Sequence, residues 1–315
     1  MLPYNDYGTW LRSRFPFKVQ KISVDAGFTC PNRDGRISRG GCTFCNNDTF
    51  NPSYCNKDAS VSEQLETGKR FFAHKYPDMR YLAYFQAFTN TYAPLDTLKR
   101  LYEEALSTDG VVGIVIGTRP DCVCPTLLDY LATLARQTFV SVEYGIESTN
   151  DATLKRINRG HTFDCARRAI ADTAARGIVT GGHVILGLPG EDREESLRQA
   201  GTISTTALHT LKIHQLQIIR GTRLAREYAE QPFHLYSPDE YIGLLTEYIR
   251  RLRPDIVLDR FTSQSPSDML VAPRWGLKNH EFANLLANHM RRTGARQGQL
   301  LSPHFFSSSS CMVII

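Results

Sequence analysis

The sequence predicts an α/β chain, an open, partial (β/α)6 TIM-like barrel followed by a C-terminal extension. Three observations predict it. Short apolar runs of β-like character recur along the chain, stretches of helical period lie between them, and the rhythm repeats six times before it loosens after residue 253. Alternation of this kind implies parallel strands joined by crossover helices. Six such units make an open barrel rather than a closed eight-strand one, and loops after the C-terminal ends of barrel strands usually carry the active site.

Each element has its own signal. Residues 1–16 read as a helical lead-in, and residues 17–253 as the core domain. FKVQKISV (17–24) is the first strand and runs into a cysteine-rich loop. Ser60 with Glu63 forms a capping-box pattern that opens a helix reaching about Tyr76. Strands follow at YLAYFQ (81–86), VVGIVIG (111–117), FVSVEYGI (139–146), VTGGHVILG (179–187) and LKIHQLQI (211–218). Helices are expected over 95–107, 126–136, 164–176 and 192–206, each with Leu, Ile or Ala at three- and four-residue spacing. Residues 254–315 read as the extension: RFTSQSPSDMLVAPRWG crosses the barrel mouth, and the serine run in SPHFFSSSSCMVII suggests a flexible end.

Composition narrows the classes. A hydrophobic share of 42% with 22% charged residues reads as an ordinary globular protein, long enough to bury a sizeable core. No stretch approaches the roughly 20 apolar residues of a membrane span, and MLPYNDYGTWLRSRF lacks a signal-peptide core. Eight cysteines clustered around one site fit a reducing compartment better than a disulfide framework, so the chain is read as cytoplasmic. The net charge of +5 is a mild excess, compatible with an anionic partner. Three arginine clusters matter more: Arg33, Arg36 and Arg39 in the cysteine loop, Arg250, Arg251 and Arg253 ending a helix, and Arg291, Arg292 and Arg296 further on. Solvated surface is the bland reading for the last two, and a phosphate-binding surface for RNA the alternative.

The chemistry is concentrated in GFTCPNRDGRISRGGCTFCN, where Cys30, Cys42 and Cys45 are spaced C-x11-C-x2-C. Soft thiolates suit zinc, copper(I) or iron–sulfur clusters. A closed zinc site needs four ligands, which Cys55 could complete, whereas three thiolates on a four-iron cluster leave one iron open for chemistry. Pro31, Gly35, Gly40 and Gly41 suit a loop wrapped tightly round such a group.

This segment resembles the cluster loop of radical S-adenosylmethionine (SAM) enzymes. CPNRDG and RGGCTFCN resemble the YhcC-type family in particular, which is itself similar to the radical SAM domain of the Elongator catalytic subunit. YLAYFQAFTNTYAP, VIGTRPDC, INRGHTFDC, VILGLPGE and KIHQLQIIRGT agree, in order, from about residue 10 to about residue 275. The resemblance implies a barrel of radical SAM type, a [4Fe-4S] cluster on Cys30, Cys42 and Cys45, and SAM on the open iron. It also implies an external one-electron donor of flavodoxin or ferredoxin type, which drives reductive cleavage of SAM to a 5′-deoxyadenosyl radical.

The resemblance assigns roles as well. Phe44 would shield the cluster and offer its backbone to the adenine, and Ile218 would pack on that ring. Gln86, followed by Thr89, Asn90 and Thr91, matches contacts to the SAM amine. Glu143 matches a carboxylate that bonds the ribose hydroxyls. Arg159 matches the arginine that pairs with the SAM carboxylate, as a planar guanidinium suits. Glu147 departs from the pattern, since relatives often carry Gln there. Arg119, with Asp121, would lie near SAM or substrate, and His183, Lys212 and His214 would face the substrate. Cys122 and Cys124 read as ordinary thiols, and Cys165 and Cys311 as without function.

The Elongator-like words point to a tRNA base as substrate, a wobble uridine or its side chain. Radical chemistry on a small metabolite is the second enzymatic reading. A zinc-stabilised RNA-binding protein, using Cys30, Cys42, Cys45 and Cys55, is the reading from another class.

Overall fold

The computed structural model describes residues 2–49, 52–72 and 78–301. A parallel sheet runs through it in the order of the chain. It comprises β1 (Val19–Val24), β2 (Arg80–Phe85), β3 (Val111–Thr118), β4 (Phe139–Glu147), β5 (Val179–Leu186) and β6 (Thr210–Gln215). Each strand pairs in parallel with the one before it. These are the six expected strands, within a residue or two at each end except for the end of the sixth.

Crossovers between successive strands carry α2 (Val61–Phe72), α3 (Leu95–Ser107), α4 (Pro125–Ala135), α5 (Asp151–Arg156) with α6 (Phe163–Ala174), and α7 (Arg193–Ser204). Ser60 caps α2 reciprocally: the Glu63 amide donates to Ser60 Oγ at 3.2 Å, and the Ser60 amide to the Glu63 carboxylate at 2.8 Å. Where that helix was expected to continue, to about Tyr76, lies outside the described residues, as does the serine-rich tail with Cys311.

Two departures follow residue 215. The sheet gains a seventh strand, because Val257–Arg260 pairs in parallel with β6. It is reached through α8 (Arg223–Glu230) and α9 (Pro238–Arg250), so residues just beyond 253 extend the barrel. The sixth strand stops at Gln215, and Ile218–Ile219 instead pairs antiparallel with Leu270–Ala272. In chain order these short and long strands are β7 (Ile218–Ile219), β8 (Val257–Arg260) and β9 (Leu270–Ala272). At the rim the chain satisfies backbone groups of Ile218–Ile219 and Leu270–Ala272 in this small second sheet.

The lead-in helix α1 (Tyr7–Arg12) and the closing helix α10 (Asn279–Arg292) belong to the same packing. The Leu258 amide donates to the Asn5 carbonyl at 2.8 Å, and Tyr4 meets Phe261 edge-on at 5.0 Å. The lead-in therefore packs on the last strand of the parallel sheet and the residue that follows it.

Strand period sorts the two sheet faces. Outward residues such as Ile22, Val24, Ile114, Ile116, Val142 and Ile213 are buried against the helices. Each side chain of this size contributes about 1.5–3 kcal/mol on burial. At the alternate positions Leu82 and Val115 make a small apolar cluster with Tyr84, and beside it the inward side chains include Lys21, Glu143, His183, Lys212 and His214. An interior of this kind is a site rather than a packed core. Among the described residues, no helix is long and apolar enough to cross a membrane.

Candidate cluster and cofactor site

The cysteine loop leaves the top of β1 and folds on itself. Arg33 and Asp34 amides donate to the Cys30 carbonyl at 2.8 and 3.1 Å, and the Cys45 amide donates to Cys42 at 3.1 Å. Gly35, Gly40 and Gly41 all have positive φ, at 98°, 84° and 77°, as tight wrapping requires. Other parts of the chain pin the loop on two sides. Thr43 donates to the Ile157 carbonyl at 2.9 Å and accepts from the Leu224 amide at 2.8 Å, at the start of α8. Asn158, itself at φ 55°, donates to the Gly41 carbonyl at 2.8 Å.

Cys30, Cys42 and Cys45 all line one cavity of about 640 Å³ at the C-terminal end of the strands. Two of the three sulfurs accept N–H donors: Asn32 Nδ2 and Arg159 Nη1 each lie 3.6 Å from Cys42 Sγ, and Asn47 Nδ2 lies 3.6 Å from Cys45 Sγ. Burial, then the neighbouring Cys42, pushes the Cys45 thiol up to about 11, against the pull of Arg33. Crowded thiols ringed by N–H donors suit a cluster, whose properties are tuned by hydrogen bonds to sulfur.

Cys55 is turned elsewhere. Its thiol donates to the Ser23 carbonyl at 3.2 Å, and it does not line the cavity. Among the described residues, no three His, Cys, Asp or Glu side chains converge on a point that could hold a single metal ion. A four-cysteine zinc site is thus not assembled. A cluster makes a different demand, because each thiolate binds a different iron and the sulfurs need not meet at one atom.

The expected SAM residues divide. Phe44, Gln86, Glu143, Glu147 and Arg159 line the same cavity as the cysteines. Arg159 Nη2 donates to the Gly145 carbonyl at 2.6 Å and lies 3.5 Å from Glu147, while its buried Nε has no partner. Glu147 reaches that position with φ 67°, where β4 breaks register with β5. Thr89 lines the cavity, but Asn90 and Thr91 are structural. Asn90 Nδ2 bridges the Phe85 and Gly117 carbonyls, and Thr91 bonds Thr118 and Cys122. Arg119 also lines the cavity, held by Asp121 in a two-pronged pair at 2.8 and 2.9 Å.

Ile218 is displaced from its expected role. It is fully buried in an apolar cluster with Ile157, Leu188 and Leu224, and its neighbour Ile219 lines the cavity. Ending β6 at Gln215 shifts the facing residue by one.

Glu143 differs from a free carboxylate. Lys21 lies 3.2 Å from Oε1, and Oε2 takes Lys212 at 2.6 Å and His183 at 3.0 Å. Asp259, from β8, completes the group at 2.8 Å from Lys21 and 3.6 Å from Lys212, and Tyr84 accepts from Lys212 at 3.0 Å. Burial works against the Glu143 charge, but Lys21 and Lys212 outweigh it and hold its carboxyl well below the usual range. Burial brings Lys212 down to about 8, despite Glu143. Burial and the neighbouring cations also lower His183, and His214 well below its usual value, so both imidazoles are neutral near pH 7.

Sequence reasoning missed Asn32, Asn47, Lys21 and Asp259. Lys21 had a signal, since it shares the inward period of the first strand with Ser23. Asp259 had none, because it sits on the unexpected seventh strand. The Arg250–Arg253 cluster is spent inside the fold: Arg250 and Arg251 pair with Glu247, and Arg253 caps the carbonyls of Ser204, Thr206 and Leu208.

Comparison with known proteins agrees with this geometry. Residues 32–199 match the model of the radical SAM superfamily, and residues 208–292 match the radical SAM C-terminal domain. The Escherichia coli (strain K12) protein YhcC is 37% identical over 272 residues, 86% of this chain and 87% of that protein. A tRNA uridine(34) acetyltransferase of Methanocaldococcus infernus is 25% identical over 189 residues, 59% of this chain but only 34% of that protein. The solved structure of the archaeal Methanocaldococcus infernus Elp3 superposes with a TM-score of 0.66 at 16% identity, over 89% of this chain and 64% of that one. That last likeness establishes the half-barrel fold.

Proposed function

Because the chain belongs to the radical SAM superfamily and is a radical SAM enzyme, we propose that Cys30, Cys42 and Cys45 hold a [4Fe-4S] cluster and that a base of tRNA is the substrate. The observation that carries this reading is the single cavity that the three thiols share with five cationic side chains. Arg33, Arg119, Arg159, Lys212 and Arg260 line it against two carboxylates, Glu143 and Glu147. Its volume suits SAM and one extruded base, not a folded RNA. Excess positive charge at its walls suits the phosphates on either side of that base.

When bound, the cluster supplies the electron that cleaves SAM to the 5′-deoxyadenosyl radical. The chain's own residues bind, orient and screen. Arg159 offers its unpartnered Nε to the SAM carboxylate, with Gln86 on the amine. Phe44 excludes water at the cluster's edge. Glu143, with both oxygens already engaged, organises the floor on which Lys212 and His183 meet the substrate.

Gly145 gives a test of the Arg159 role. A Cβ there would lie 2.5 Å from both Arg159 Nη2 and Glu147 Oε1, the far ends of two side chains. Gly145→Ala should fold and load iron, yet bind SAM roughly tenfold more weakly or worse, about the 1.4 kcal/mol that one displaced charged contact is worth. Equilibrium dialysis of the reconstituted protein checks this; unchanged SAM affinity removes Arg159 from the site.

The substrate reading is tested by tRNA binding across a salt series. We expect a log–log slope of about −2 or steeper, as three single-strand phosphate contacts give. Absence of tRNA affinity at low salt would turn the reading to a small metabolite.

A further inference from the structure

Of the arginines in the cysteine loop, Arg33 lines the substrate cavity, but Arg39 does not. A second depression of about 460 Å³ adjoins it, and the two share a wall made by Arg33, Gly41, Cys42 and Cys45. Arg33, Arg39, Arg223 and Arg226 line this second depression, and no carboxylate does. Two separate stretches of chain bring these arginines together, the cysteine loop and the first turn of α8, joined through the bond from the Leu224 amide to Thr43. Arg39, Arg223 and Arg226 are exposed. Glu227 is shared by Arg223 at 3.2 Å and Arg156 at 2.7 Å, and among the described residues neither Arg39 nor Arg226 forms a salt bridge with a carboxylate.

We propose that this four-arginine depression is the docking surface for an acidic one-electron carrier protein, which delivers its electron through the wall formed by Cys42 and Cys45. The proposal rests on the cluster reading above. In the transfer, the carrier loses one electron, the cluster gains one, and no atom moves.

Two features favour a protein donor over RNA. Cys42 and Cys45 line both depressions, so a carrier seated here meets two of the expected cluster ligands without entering the cavity proposed for SAM and substrate. The arginines also ring a compact depression beside the two cysteines, as suits a carrier whose acidic side chains surround a redox centre. Opposite charge at such a contact sets encounter rate and orientation.

The test uses the reconstituted full chain, a purified flavodoxin and the double variant Arg39→Glu/Arg226→Glu. Neither residue touches the substrate cavity. Flavodoxin affinity, read by fluorescence anisotropy at low salt, should fall at least about tenfold in the variant and be weakened by salt in the wild type. Flavodoxin-driven formation of 5′-deoxyadenosine should fall with it, while dithionite-driven formation and tRNA affinity stay at wild-type levels. Unchanged flavodoxin affinity overturns the proposal. Loss of tRNA affinity with flavodoxin affinity retained also overturns it and gives the surface to RNA. Wild-type protein that makes no 5′-deoxyadenosine even with dithionite overturns the cluster reading itself, a failure that the anisotropy measurement separates from failure of docking.

Discussion

Cys42→Ala is expected to leave a protein that folds, fails to hold its full complement of iron and sulfide, and forms no 5′-deoxyadenosine above background with dithionite and SAM. Cys42 is the most enclosed of the three cysteines and the one on which two donors, from Asn32 and Arg159, converge. Removing it takes away a ligand and leaves Arg159 Nη1 without its sulfur acceptor, while Asn32 Nδ2 keeps the Asn158 carbonyl at 2.6 Å. The loop itself survives, because its turns rest on backbone bonds from Arg33, Asp34 and Thr43, not on the thiol. Cys55→Ala is the matching control. It loses one thiol hydrogen bond to Ser23, worth about 1 kcal/mol, and should keep its iron and its SAM cleavage. Iron and sulfide assays on the two variants decide the matter. A Cys55 variant that loses the metal, or a Cys42 variant that keeps all of it, refutes the three-thiolate assignment.

The second large effect is on stability. Glu143→Gln should lower the unfolding free energy by about 3 kcal/mol at pH 7, since breaking a buried ion pair leaves its partner's charge uncompensated. Lys21 keeps Asp259 at 2.8 Å, but Lys212 is left with a carboxylate 3.6 Å away, so Lys212 bears the loss. Adding Lys212→Met removes the stranded ammonium and should restore most of the stability.

The pH dependence follows from the two shifts. Glu143 has a depressed folded value, so its stabilisation is fully present above about 4.5 and disappears as the pH falls below that. The gap between wild type and variant therefore closes in acid. Lys212 has a lowered folded value of about 8, so between there and 10.5 the unfolded chain binds more protons and stability rises with pH. Without Glu143 the Lys212 ammonium titrates lower still, so the variant's penalty should shrink as the pH rises towards about 8 and stay level above it. Denaturant titrations across pH check all of this, and a pH-independent gap would mean that Glu143 is not paired as described.

Much of this was legible in the chain. The C-x11-C-x2-C spacing, the six strands with their crossover helices, and the reciprocal cap between Ser60 and Glu63 are properties of near neighbours, and local sequence carries them. Period two along the fourth strand also puts Glu143 and Glu147 on one face, and both line the cavity, as do His183, Lys212 and His214, which the family resemblance pointed to. What sequence alone could not decide was which of these meet. Lys21 and Glu143 are 122 residues apart, and Lys21 and Asp259 are 238 apart; their convergence depends on strand register and on how far the sheet curls. The same holds for the seventh strand, whose four residues Val257–Arg260 are too short to announce themselves, and for the one-residue change that buries Ile218 and turns Ile219 to the cavity. Local sequence determined the ligands and the strands that present them. The tertiary structure decided the charge balance of the cavity floor, because electrostatic energy depends on distance through space and not along the chain.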